Sequence, residues 1–447
     1  MEFAHLLRGL FGLVAILGIA WLFSANRRAI PWRVVGVGLA LQAVLAVLIL
    51  KVPFVKAGFD FVGSLFVKLL GFTAEGSALV FGWVHGVPYG REGMVIAAQD
   101  GRTFVTYAPV FAITILPTII FFAALTSLLY RLGLLQLVVK SFAWVMSKTL
   151  RLSGPETLNA SANIFVGQTE APLLIRPFLD KMTRSELLAV MIGGMATIAG
   201  GVMAIYITLL GGDDPAERVR WATHLLTASV LSAPAALLIA KMLLPQTEPV
   251  DESLVLNAER PGANLIDAVC IGTTDGLRLA VNVGGMLIVF TALVAMFNAM
   301  LSGGPGEWFG LNALVQSLTG GQFTTFNLQF LFGMIGAPFA WLVGVDADQM
   351  LLGGRLLGEK VVLNEFIAYF SMSQLQAEGT LVDDRTRVIL TYALCGFSNI
   401  VSIGIQVGGL GAMAPGRRSE LARLGLRALL GGNLACFLTA CFAGMLF

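Results

Sequence analysis

The chain has 447 residues, 57% of them hydrophobic and only 13% charged, whereas about 25% of the residues of a soluble domain carry charge. That balance excludes a soluble globular protein and points to a polytopic membrane protein. A net charge of +2, with the basic residues scattered through loops, excludes nucleic acid as a partner.

Apolar runs of about 20 residues suit a hydrocarbon layer roughly 30 Å thick. They fall at 3–24, 34–50, 106–130, 185–211, 221–244, 277–301, 386–411 and 424–446, which predicts an all-α fold with eight transmembrane helices. The first run has no basic region ahead of it and no small-residue cleavage site, so it reads as a retained span that starts outside the cell. Arg27, Arg28, Arg33, Arg131, Lys140, Lys148, Arg151, Lys181, Arg184, Lys241, Arg260, Arg417, Arg418 and Arg423 mark a cytoplasmic face; Asp213, Asp214, Glu217, Asp383 and Asp384 mark the other. Both termini are therefore expected outside. Two further segments, 55–72 and 134–150, mix Lys56, Lys68, Lys140 and Lys148 with aromatic and aliphatic residues, the pattern of interfacial helices.

The stretch 159–172 carries Asn163, Gln168, Thr169 and Glu170 between membrane-length apolar segments. A carboxylate at that depth costs about 2.5 kcal/mol or more, so it is expected to line a site. Gly167 and Pro172 bracket the polar residues, and backbone groups freed by such breakers survive in a membrane only where protein or a wet cavity covers them. The stretch reads as a broken re-entrant hairpin, the alternative being a polar cytoplasmic loop. Farther on, 326–343 is interrupted by Gly333, Gly336 and Pro338 and is expected to lie flat. The segment 350–370, with Arg355, Glu359, Lys360, Asn364 and Glu365, is too polar to face lipid and reads as a second hairpin. Each half thus offers an interfacial helix, a polar hairpin with a central Glu, and a span interrupted by small and polar residues. By the charge sidedness the first hairpin enters from inside and the second from outside. Inverted repeats with broken helices in matching places point to a transporter whose site lies near the midplane.

Within this frame the polar residues acquire roles. Glu365 lies in an apolar helical run, where an ionised carboxylate needs donors. Sugar hydroxyls would serve; the competing reading is a cap or an ion pair with Lys360 or Arg355. Asn399 and Ser402, three residues apart, share a helical face and either bind a ligand or hold a kink. Gln168 and Thr169 beside Glu170 offer donors and acceptors together, which suits the mixed edge of a nucleobase or an amide. Asn163 to Val166, facing Thr197 and Ile198, offers hard oxygens for Na⁺ or a protonated water, with hairpin stabilisation as the alternative. Phe165, Phe366 and Phe397 either stack on a flat ligand or pack. Cys270, Cys395, Cys436 and Cys441 have no metal or redox spacing and read as small core residues, and His5, His85 and His224 are isolated.

At these positions the chain resembles the concentrative nucleoside transporter family. The motifs are Asn163 ahead of Gly167-Gln-Thr-Glu-Ala-Pro172, then Ala196-Thr-Ile-Ala-Gly200, Asn364-Glu-Phe366 and Phe397-Ser-Asn-Ile-Val-Ser402, in the family's order and spacing. The resemblance spans nearly the whole chain. It implies a homotrimer of protomers with eight spans and two re-entrant hairpins, moving nucleosides by an elevator-like shift of the hairpin-bearing domain. It also implies that Gln168, Thr169, Glu170 and Val202 face the base and that Glu365, Asn399 and Ser402 face the ribose. Phe397 lines the pocket, and Asn163, Val166, Thr197 and Ile198 hold sodium. Gly167-Gln168 resembles the pair in members that accept both purine and pyrimidine nucleosides.

The expected function is Na⁺-coupled import of nucleosides across a bacterial inner membrane, by a multi-pass protein surrounded by lipid. The expected division is a scaffold part at 1–130, a first transport repeat at 131–245, a scaffold span at 246–303 and a second transport repeat at 304–447. Glu170 keeps proton coupling as an alternative. An intramembrane enzyme is disfavoured because neither H-E-x-x-H nor G-x-S-x-G occurs and Gly272-Thr-Thr-Asp-Gly276 stands alone. A channel would not need two inverted hairpins.

Overall fold

The computed structural model describes residues 3–81, 95–97, 103–105, 111–212, 214–250, 262–381 and 383–447. Residues 106–110 of the expected third span, with His85, Asp213 and Arg260, lie outside them. The chain opens with α1 (Phe3–Leu22), α2 (Trp32–Lys51) and α3 (Pro53–Phe81), followed by β1 (Val95–Ala97) and β2 (Thr103–Val105). These strands pair antiparallel with Val95 opposite Val105. After α4 (Phe111–Thr114) come α5 (Leu116–Leu132) and α6 (Leu134–Leu150), which meet at an angle of 77°. Gly133, at φ 81°, makes that corner, because a left-handed backbone strains any residue with a Cβ.

The first hairpin follows. Its rising arm is α7 (Gly154–Ala162), and its descending arm is the 3₁₀ segment Ala171–Phe178, where Pro172 and Pro177 disfavour an α-helix. Ser153 and Glu156 close a capping box on α7, the serine accepting from the Glu156 N–H and the glutamate from the Ser153 N–H. The other carboxylate oxygen of Glu156 pairs with Lys241 at 2.7 Å, and both side chains are shut off from solvent. Lys241 also donates to Ser185 Oγ. A buried pair of this kind locks the base of the hairpin to its surroundings, since removing one partner strands the other charge at a cost of about 3–5 kcal/mol.

The expected interrupted span is two helices, α8 (Arg184–Ala196) and α9 (Gly200–Gly211), with Thr197 extended between them. The chain continues through α10 (Pro215–Leu243), α11 (Leu265–Leu301), a π-turn at Ser302–Gly306 and α12 (Leu311–Leu318). The element order of α6 to α10 then recurs: α13 (Leu328–Val343), arms α14 (Met350–Val362) and α15 (Glu365–Ala377), a broken pair α16 (Asp384–Leu394) and α17 (Ile400–Met413), and α18 (Arg418–Leu446). The second hairpin thus reaches seven residues beyond its expected end at 370, and its arms join at Leu363 and Asn364.

Helices α8, α10, α16 and α18 pack together as the core, and α10 is buried along its whole apolar length. Against this body α1 packs on α18, and α2 and α3 pack on α10. Apart from them, α11 keeps only Ala268, Gly272, Gly276 and Ala280 buried and lies along α5. A Cβ on Gly272 would come within 2.7 Å of the Ala123 carbonyl oxygen, so the backbones touch. The segment 55–72, expected to be interfacial, belongs to a longer helix. It is the front of the 29-residue α3, long and apolar enough to cross a membrane. Lys56 and Lys68 gave the run its interfacial pattern; Asp60 on the same helix accepts a 2.8 Å bond from Thr223 of α10, which satisfies it inside the protein. Helix α13, expected to lie flat, packs closely along α14, where Gly336 meets the backbone of Gly354.

Candidate functional site

Helix breaks build the site. Asn399 sits extended at the N-cap of α17, and its Oδ1 accepts from the Ser402 N–H at 2.8 Å. With the oxygen so used, its Nδ2 is aimed at Glu365 and donates to Oε2 at 2.9 Å. Glu365 begins α15 after Asn364 caps that helix, and its Oε1 accepts from Tyr206 Oη of α9 at 3.0 Å. The residue is 6% exposed. Neither cation considered from the sequence pairs with it. Arg355 closes on Glu359 at 2.9 Å, and Lys360 donates to the Ala393 carbonyl at 2.9 Å.

A second chain of bonds starts at Ser402, whose hydroxyl accepts from Gln168 Nε2 at 3.2 Å. Gln168 Oε1 in turn accepts from Gln406 Nε2, which also bonds the Met191 carbonyl of α8. One connected set of buried polar groups therefore runs from Tyr206 through Glu365, Asn399, Ser402 and Gln168 to Gln406, tying both hairpins to both broken helices. Sequence reasoning missed Tyr206 and Gln406. Gln406 had a signal, since it follows Ser402 by four and Asn399 by seven and so shares their helical face. Tyr206, flanked by Ile205 and Ile207, had none.

Glu170 and Val202 point elsewhere. With Val166 and Gly167 they line a cavity of about 360 Å³ whose far wall is Ser127 of α5 and Asp275 of α11. Thr169 lies against α17 at Gly409. The residues assigned to the base thus divide, Gln168 joining the buried network and Glu170 and Val202 facing the cavity. Phe397 is half-buried, and its N–H donates to the Thr197 carbonyl at 3.2 Å, which joins the two breaks back to back. Phe165 sits edge-on to Phe142, and Phe366 is tilted against Tyr206.

The residues assigned to sodium meet where α7 ends against α8. Thr197 Oγ1 donates to the Gly193 carbonyl at 2.9 Å, and a Cβ on Gly193 would lie 3.6 Å from the amide nitrogens of Asn159 and Asn163. Both asparagines are fully buried, and neither Oδ1 receives a hydrogen bond. The Phe165 carbonyl accepts from the Gly200 N–H, which keeps Val166 beside the break; Ile198 is buried within it. Orphaned amide oxygens at a helix break, beside main-chain carbonyls that each keep a second lone pair, suit an alkali cation and would be costly if left empty.

Opposed broken hairpins closing on two interrupted helices are the architecture of a secondary membrane transporter. Three family profiles cover most of the chain: "Na+ dependent nucleoside transporter N-terminus" at 11–84, "Nucleoside recognition" at 112–213 and "Na+ dependent nucleoside transporter C-terminus" at 224–444. An uncharacterized transporter of Haemophilus influenzae is 40% identical, the match covering 98% of this chain and 97% of that one. Solute carrier family 28 member 3 of Homo sapiens is 36% identical over 97% of this chain, which spans 59% of that longer protein. A solved structure of CNTnw in an inward-facing substrate-bound state superposes with a TM-score of 0.84 at 35% identity, covering 99% of this chain and 98% of the other. The chain belongs to the concentrative nucleoside transporter family, a family of nucleoside transporters and not of enzymes.

Proposed function

We propose that the protein imports nucleosides by Na⁺ symport, the hairpin-bearing repeats shifting against the α5–α11 pair as an elevator. The observation that carries this reading is the buried Glu365 carboxylate. It has about four acceptor positions, of which Tyr206 and Asn399 fill two, and the hydroxyls of a ribose would fill the rest. Asn399 and Ser402 would share the sugar, Gln168, Thr169, Glu170 and Val202 the base, and Phe397 the pocket wall. Asn163, Val166, Thr197 and Ile198 would hold Na⁺, which travels as co-substrate. The cavity beside Glu170 has the size of small-molecule sites. The working form is a homotrimer in the lipid of a bacterial inner membrane, divided into the scaffold and transport parts expected from the sequence.

One cation suffices energetically. A unit charge moved through 100 mV supplies about 2.3 kcal/mol, enough to hold a neutral nucleoside some tens of times above its outside level. The test is uptake of labelled uridine and adenosine into proteoliposomes under Na⁺, K⁺ or choline gradients at fixed pH. Na⁺ should stimulate uptake of both, and Asn163→Ala and Thr197→Ala should each need a higher Na⁺ concentration for half-stimulation. Uptake indifferent to Na⁺ but driven by a pH gradient would transfer the coupling role to Glu170.

A further inference from the structure

The recurring element order lets the two hairpin junctions be compared element by element. In the first repeat, the last turn of α7 meets the last turns of α8 through neutral groups: Asn159 Nδ2 donates to the Val190 carbonyl, and the amide oxygens of Asn159 and Asn163 lack donors. In the second repeat, the last turn of α14 meets the last turn of α16 through a cation. Lys360 is fully buried, and its ammonium donates to the carbonyl of Ala393, two residues before Cys395, the C-cap of α16. Both junctions gather main-chain carbonyls at a helix C-terminus, where the backbone dipoles favour positive charge. One has spare oxygens and no cation of its own. The other has an ammonium, five residues before Glu365 in the same hairpin.

We propose that Lys360 is a built-in cation, occupying in the second repeat the position that the first repeat leaves to a mobile ion. This rests on the sodium reading of Asn163 and Thr197. Lys360 is a positioning residue: it holds the end of α14 against α16 and keeps a positive charge behind Glu365, while the tether makes that charge independent of the medium. One repeat therefore senses the ion and the other does not, and the chain couples each nucleoside to a single Na⁺. The first hairpin is accordingly ordered by the ion, and the second is held closed whether or not the ion is present.

The experiment is uridine binding to the full-length protein in detergent, titrated with Na⁺, for wild type, Lys360→Ala and Lys360→Arg. Wild type should show Na⁺ stimulation with a Hill coefficient near 1. Loss of a charge-assisted bond should weaken uridine binding by about tenfold or more in Lys360→Ala. Methylammonium, or Na⁺ well above the wild-type requirement, should restore that binding, and with Na⁺ the Hill coefficient should rise above 1. Lys360→Arg should keep wild-type binding and a Hill coefficient near 1. A wild-type Hill coefficient near 2 overturns the proposal, and this measurement needs no variant to fold. So does a Lys360→Ala protein of normal thermal stability that binds uridine normally, or that binds weakly and answers to no added cation. Wild-type binding that ignores Na⁺ would instead remove the first-repeat site, and the comparison with it.

Discussion

Glu365 is where the second hairpin meets both broken helices. Its two donors come from different elements, Tyr206 of α9 and Asn399 ahead of α17, so the carboxylate reports whether both have closed on the second hairpin. Glu365→Gln keeps the shape but turns one acceptor oxygen into a donor, which must then face either the Tyr206 hydroxyl or the Asn399 amide. The apparent affinity for uridine should fall at least about tenfold, with thermal stability falling less, as read from uptake and melting of the same preparation. Near-normal uridine uptake would remove Glu365 from the site. At this scale the sequence drew attention to Glu365, Asn399, Gln168 and Asn163, polar residues that interrupt apolar runs, but passed over Gln406, which does the same. It was silent on Tyr206, because a tyrosine among isoleucines reads as packing until its hydroxyl is seen to reach a carboxylate. Nor could spacing along the chain show that Gln168 and Glu170, two residues apart, face different surroundings.

Among the elements, close approach is governed by glycine. In the α13–α14 contact, a Cβ on Gly354 would run into the Gly333 carbonyl oxygen and the Ala337 nitrogen, main-chain atoms that cannot swing aside. Gly354→Ala should therefore destabilise the protein by roughly 1–3 kcal/mol, lowering the melting temperature in detergent, whereas Gly36→Ala, with open space around it, should not. Equal melting temperatures for the two variants would show that α13 and α14 do not depend on this contact. The breaks in α8–α9 and α16–α17 were legible because Thr197, Asn399 and their small neighbours disfavour a continuous helix. The length of α3 was not, since Lys56 and Lys68 gave its front an interfacial pattern and the α10 threonine that bonds its Asp60 lies far along the chain.

For the whole molecule, the proposed elevator requires that α9 slide past α5. A Cβ on Gly201 would lie 3.5 Å from Cβ of Phe122, within the range a disulfide spans. Phe122→Cys with Gly201→Cys, in a protein whose exposed Cys270 is replaced by Ser, should lose uptake on oxidation and regain it on reduction, while each single variant is indifferent to oxidant. Undiminished uptake by the fully oxidised double variant would exclude relative movement at this contact. The overall repeat was readable from the sequence because charge sidedness and broken segments recur in order. Which helices touch was not, because α1, α2 and α3 pack on α10 and α18 through contacts between residues hundreds of positions apart. The buried pair of Glu156 and Lys241 adds a constraint on biogenesis. Translation delivers the glutamate first, and at about 5–20 residues per second its lysine emerges several seconds later. During that interval the nascent first hairpin carries an uncompensated acidic group that lipid rejects, so it must wait in a hydrated or chaperoned setting. Its final seating follows the synthesis of α10, which makes re-entry a late, post-insertional event even though the hairpin lies in the first half of the chain.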